Sequence, residues 1–277
     1  MILKNRQGQV RLMWSLLMLV VPFLLIAYLL RYIPIRIQVG ILMGQGLSEN
    51  AASTQASRMF LEDPVWVSLI GIIQGLVWYI LVCVLIRFIE KEPCQLKRLG
   101  WSCHGKGVLF LLLGFLIGLV MYYGYFVVGH MFGEAPLTWS PVKLSTLPLL
   151  LVSLDILSNG FGEETAFRAY WQRLVIDRHG LWVGIVVASA SFVLLHLLIA
   201  PFTAIALVAS ILLACFYGIL YVWTGSIFLV GALHTTFNLA PRLFGQWPSD
   251  IGLLLVNGLA LIITIIAYVR VHRGVHS

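Results

Sequence analysis

Between Arg178 and Arg242 the chain runs for 63 residues without an Asp, Glu, Lys or Arg. As helix this stretch would extend roughly 95 Å, about three crossings of a 30 Å hydrocarbon layer. A soluble fold cannot easily accommodate such a run. Other charge-free runs are Leu12–Leu30, Pro64–Ile86, Gly107–Gly133 and Ile251–Val269. They are continuous rather than alternating, which favours spanning helices over the strands of a membrane β-barrel. Charged residues make up 10% of the 277 and apolar types 60%, against about 25% and 45–50% in ordinary soluble domains. The chain therefore reads as all-α: a polytopic membrane helical bundle, one integral domain over residues 1–277. Disordered chains and disulfide-stapled secreted modules are excluded by the same composition.

The runs predict eight transmembrane helices, over about 12–31, 65–88, 107–129, 147–173, 181–199, 202–223, 226–240 and 251–269. Lys4, Arg6 and Arg11 precede the first run as in a signal peptide, but no small-residue cleavage site follows, so it is expected to be a retained span. With the N-terminus cytoplasmic, 13 of the 18 basic residues fall on the cytoplasmic side. Eight spans return the C-terminus there as well. The net charge of +7 is thus a topology signal. No basic patch interleaved with aromatics suggests a nucleic-acid partner. Cys83, Cys94, Cys103 and Cys215 form no CxxC pair and are expected to be reduced and incidental, and Cys103-His104 has no zinc-finger spacing. Gly114 and Gly118 are expected to serve close helix packing.

Ionisable groups inside a span are expensive, roughly 2.5–3.5 kcal/mol at the centre, and are functional candidates by default. The fourth predicted span holds Asp155, Glu163, Glu164 and Arg168; the fifth holds His196; the seventh holds His234 and Asn238. Glu164 and Arg168 are spaced i,i+4, acid first, and should pair. Glu163 then points about 100° away and is left under-compensated. Gly160 and Gly162 would thin the helix there and let water or a substrate backbone approach. Asp155 is expected to be a structural or water-contacting acid. From the cytoplasmic ends, Glu163, His196 and His234 would lie roughly 15, 22 and 12 Å deep. Three helices thus bring polar groups towards mid-membrane, as a shared chamber requires.

A carboxylate and a neutral imidazole can remove a proton from one water, and a second imidazole with an amide can donate to the oxyanion formed at a carbonyl. That set suffices for peptide hydrolysis without a covalent intermediate. Glu163, His196 and His234 are also acceptable zinc ligands, although no HExxH motif occurs. The nucleophile of a Gly-x-Ser-Gly protease is lacking, since Gly225-Ser226 continues as Ile227-Phe228, and no Gly-x-Gly-Asp pair is present.

In order, Glu163-Glu164-x-x-x-Arg168, Phe192-x-x-x-His196 and His234-x-x-x-Asn238 resemble the CAAX-processing and bacteriocin-processing (CPBP, or Abi) protease family. The motifs place a protease core at about 147–241. The resemblance implies an intramembrane endopeptidase in which Glu163 and His196 activate water. It implies His234 and Asn238 as the oxyanion site, with Glu164, Arg168 and Phe192 in support. It leaves metal dependence open: either no cofactor, or zinc on Glu163, His196 and His234. Two departures occur: Ala169 stands where Phe-Arg usually continues to Gly, and Val230–Leu233 lacks the frequent Pro before the histidine. The implied partners are the lipid bilayer and a peptide or protein substrate, lipid-modified or not, with no nucleic acid. A compact chain with no organelle-retrieval signal gives a bacterial plasma membrane as the expected location. Two other functions share these features: a non-hydrolytic immunity or partner-binding protein on the same fold, and a proton-coupled transporter using the buried acids.

Overall fold

The computed structural model describes residues 12–101, 105–134, 145–198 and 201–273. Every regular element among them is helical, and no strand occurs among the described residues. The helices are α1 (Leu12–Gly44), α2 (Glu49–Leu61), α3 (Pro64–Leu85), α4 (Gly105–Met131), α5 (Thr146–Glu164), α6 (Arg173–His179), α7 (Leu181–Leu197), α8 (Ala204–Thr224), α9 (Ile227–Phe244) and α10 (Asp250–Arg273). A π-helical segment, Thr165–Gln172, joins α5 to α6 without a break. Three helices, α7 to α9, fill the 63-residue charge-free run.

Among the described residues, five stretches are long and apolar enough to cross a membrane: Leu12–Gly44, Pro64–Glu90, Lys106–Met131, Ala204–Thr224 and Asp250–His272. The predicted fourth, fifth and seventh spans are helical but are not among these five. Helix α7 is apolar but shorter. The other two carry the polar groups described above, and that polarity removes them from a reading by composition.

Two compact units divide the chain. The first comprises Met1–Cys94 and Lys143–Gly162. Its α1 continues unbroken through Pro22 and Pro34 and reaches about 50 Å at 1.5 Å per residue, well past the end predicted for the first span. The unpredicted helix α2 starts at Ser48, whose hydroxyl accepts from the Ala51 N–H. Ala52 and Ala56 of α2 lie against Ile35, Val39 and Leu42 of α1, a one-face i,i+4 stripe on each helix. Pro64 opens α3 at the position where its missing N–H does no harm, and the Asp63 carboxylate accepts from the Val65 and Trp66 N–H groups. Phe23 stacks on Trp78 with ring centroids 3.7 Å apart.

Within the same unit, α5 rests on α3 through polar contacts. Asn159 donates to the Gly71 carbonyl at 2.8 Å and to Asp155 Oδ1 at 2.6 Å, and Ser158 donates to the Ile72 carbonyl at 3.2 Å. Asp155 is thus a structural acid set against Gly71. A Cβ at Gly162 would come within 2.6 Å of the Gly75 carbonyl oxygen. Close approach of two helices therefore accounts for Gly162, in place of the opening to water or substrate expected from the sequence. A second correction concerns cysteine. Cys83 and Cys94 form a disulfide, Cα–Cα 5.3 Å, across the turn that ends α3. Cys215 is a free thiol, and Cys103 lies outside the described residues.

The second unit comprises Gln95–Val142 and Glu163–Ser277. Gly114 and Gly118 let α4 lie against α9, where a Cβ would meet Ala232 Cβ at 2.7 Å and Thr236 Cβ at 2.6 Å respectively. The GxxxG pair is a packing device, as expected. Tyr125 of α4 donates to Asn257 of α10, and Asn257 donates to the Ala209 carbonyl of α8. This unit frames the polar side chains that follow.

Candidate active site

All the proposed motif residues lie in the second unit. Glu163 and Glu164 close α5, and Arg168 lies in the π-helical segment whose eight residues are all buried. Wider i→i+5 turns of this kind recur at functional sites. His196 stands in the last turn of α7. His234 and Asn238 lie one turn apart on α9, which starts after Gly225 turns the chain at φ +61°.

Glu164 is fully buried and has two partners. Its Oε2 accepts from Arg168 Nε at 3.0 Å, and its Oε1 is 2.9 Å from His234 Nδ1. A carboxylate can only accept, so His234 presents Nδ1–H to it. His196 Nδ1 lies 2.9 Å from the Phe192 carbonyl and must likewise donate. The neutral His196 ring therefore offers the lone pair of Nε2.

Both Nε2 atoms face one oxygen. Glu163 Oε2 is 3.7 Å from His196 Nε2 and 3.7 Å from His234 Nε2. These separations exceed a direct hydrogen bond, yet a water about 2.8 Å from an imidazole nitrogen and the carboxylate fits the triangle. The side chains of His196 and Glu163 are 31% and 16% exposed, while His234 retains 7%. Two of the three polar groups can thus meet an incoming molecule.

Phe192 is the common packing surface of the cluster. Its ring lies 4.4 Å from the His196 ring, 5.8 Å from the His234 ring and 5.2 Å from the Phe167 ring. The Arg168 guanidinium sits 5.1 Å over its face, a favourable cation–π placement. Beside the histidines opens a cavity of about 290 Å³, mostly apolar, with His196, His234 and Asn238 on its wall and Leu213, Phe237 and Trp247 among its other lining residues. A cavity of that character suits an apolar stretch of substrate next to a small polar centre.

No group of three or more His, Cys, Asp or Glu side chains among the described residues is arranged to hold a metal ion. Glu163, His196 and His234 come together, but as a carboxylate facing two rings.

Residues 145–240, about a third of the chain, match the Rce1-like family, described as type II CAAX prenyl endopeptidase Rce1-like. This segment is therefore similar to the Rce1-like family. The match spans every motif that carried the CPBP resemblance, from α5 to α9. Together with the apolar helices this similarity supports an integral, multi-pass membrane protein with a peptidase-like segment. Neither the curated proteins nor the solved structures supply a match to the chain.

Sequence reasoning missed several groups around the matched segment. Tyr217 of α8 lies 6.1 Å from the His234 ring and lines the cavity. Asn257, from outside the matched segment, reaches the same cavity. Neither carries a charge, and neither falls in a motif, so no sequence signal separated them from ordinary span residues. Trp101 donates its indole N–H to Thr165 Oγ1, a contact between two residue types that carry no signal of their own.

Proposed function

We propose that the chain is an intramembrane endopeptidase of the CAAX-processing type that hydrolyses its peptide by activated water, without a resident metal. The observation that carries this is the single Glu163 oxygen equidistant from two imidazole nitrogens whose rings line an apolar cavity. Water held between Glu163 and His196 attacks the peptide carbonyl while its proton passes to these bases. The oxygen of the carbonyl takes up negative charge. His234 and Asn238, one turn apart on α9, are the donors for it. His234 has already given Nδ1–H to Glu164, so it can donate through Nε2 only as an imidazolium. In that state Glu163, Glu164, Arg168 and His234 sum to zero charge, the arrangement that a low-dielectric site tolerates best. Collapse of the intermediate expels the amine, which takes the proton back from the bases. Glu164, Arg168 and Phe192 hold the geometry.

Purified protein in detergent is expected to cleave a fluorogenic prenylated CAAX reporter, and to keep its rate after a metal chelator is added. Loss on chelation with recovery on added zinc would overturn the metal-free mechanism. Absence of any cleavage of this reporter would overturn the CAAX-type assignment.

The same reading gives one membrane domain with eight spans, a protease core at 147–241 and both termini in the cytoplasm of a bacterial plasma membrane. What supports the orientation is the Lys/Arg distribution. A cytoplasm-dependent reporter fused after Ser277 should be active, and its external counterpart silent. The opposite pattern refutes the orientation.

A further inference from the structure

A short polar clamp outside the three motifs joins the two helices that meet in the site. Residues Leu96–Leu99 form a 3₁₀ turn that ends at Gly100 with φ +81°. The Gly100 carbonyl accepts from the Ile227 N–H at 3.3 Å. That N–H is one of the donors left over at the start of α9, where Ser226 supplies no side-chain cap. Only glycine fits at 100, since a Cβ would press on the Gly225 carbonyl at 2.5 Å. The next residue, Trp101, meets the Phe228 ring edge-on at 5.5 Å and donates its indole N–H to Thr165 Oγ1 at 3.2 Å. Thr165 is fully buried and directly follows Glu164. Two consecutive residues therefore bond to the first turn of α9 and to the residue beside the paired glutamates. Those same two elements face each other across the Glu164–His234 and Glu163–His234 contacts.

We propose that Trp101 is a positioning residue for Glu163 and Glu164, acting through the Thr165 hydroxyl to hold the start of the π-helical segment in register with α9. For its catalytic consequence this rests on the peptidase reading. The bond touches no reacting atom and lies outside the cavity, so its loss should leave substrate binding alone. It fixes the carboxylates relative to His234, where displacement by about 1 Å can cost about 100-fold in rate. A single neutral hydrogen bond removed from an otherwise packed position should shift them less.

The test compares Trp101→Phe, which keeps the ring edge against Phe228 but removes the N–H, with the near-isosteric Thr165→Val, with Thr165→Ser and with the Trp101→Phe/Thr165→Val double variant. Each single variant is expected to lower kcat about fivefold with KM within twofold, the double variant no further than either single, and Thr165→Ser to keep the wild-type rate. Effects that multiply in the double variant, a change confined to KM, or loss in Thr165→Ser equal to that in Thr165→Val would overturn the proposal. A second readout needs no peptidase activity: labelling of Glu163 by an apolar carbodiimide, followed by mass spectrometry, with Glu163→Gln as the blank. The labelling rate should change at least threefold in Trp101→Phe and Thr165→Val and not in Thr165→Ser. If the wild type cleaves nothing while labelling shifts as stated, the peptidase reading fails and the clamp stands. If labelling does not move, the clamp fails whatever the activity.

Discussion

Glu163→Gln should abolish cleavage of a reporter peptide, lowering kcat by at least about 10³-fold, within the range that a positioned general base supplies. The amide keeps the volume and can still donate or accept one hydrogen bond, so the Phe192 packing and the Glu164–Arg168 pair should persist. The variant loses the ability to take a proton from water. Unchanged melting in detergent together with unchanged KM would assign the loss to chemistry. Full activity in Glu163→Gln would sink Glu163 as the base and leave His196 to act alone. His196 can serve as the partner because its Nδ1–H is fixed on the Phe192 carbonyl, which turns the lone pair of Nε2 towards Glu163.

Arg168→Leu is expected to be the most damaging change to stability. Arg168 and Glu164 are both fully buried, and removing one member of a buried pair typically costs about 3–5 kcal/mol because the other charge stays behind. Glu164 would then keep only His234 as a partner. Thermal unfolding in detergent should show a melting temperature several degrees lower. Arg168→Lys should recover it only in part, since an ammonium lacks the flat face that lies over Phe192. The double change Glu164→Gln/Arg168→Met, which removes both charges, should be milder than Arg168→Leu alone. A melting temperature for Arg168→Leu equal to that of the wild type would show that the pair contributes nothing to the fold.

The scarcity of charge made the helices legible. Each of the eight predicted stretches is helical, and five of them match the helices long and apolar enough to cross a membrane, because long apolar runs admit few other structures in lipid. The candidate site residues stood out for the complementary reason: Glu163, Glu164, Arg168, His196 and His234 are costly inside apolar segments, and they lie together in the fold. What stayed hidden depends on contacts between distant parts of the chain. Helix α2 is too polar to register as a span and is held by small residues, Ala52 and Ala56, against α1. The Cys83–Cys94 bond depends on the turn after α3, which carries no pairing signal in a list of four cysteines. Gly162 reads as permissive from sequence, and its actual role depends on Gly75, 87 residues earlier. Trp101 and Thr165 are ordinary residue types, and only their proximity makes them informative. The π-helical character of Thr165–Gln172 was invisible because an α-helical wheel also places Glu164 beside Arg168.

That segment constrains how the protein is made. All eight of its residues are buried, so none of its faces is offered to lipid, and it carries a guanidinium with two carboxylates immediately before it. Alone in a bilayer such a helix would be a poor insertion substrate, each central charge adding roughly 2.5–3.5 kcal/mol. Trp101 is made before it, but α7, α8 and α9, which hold Trp171, Gln172 and the Glu164 carboxylate, are all synthesised after it. During synthesis Glu164 can pair with Arg168 at once, whereas Glu163 meets His196 only after α7 is made and His234 only after α9.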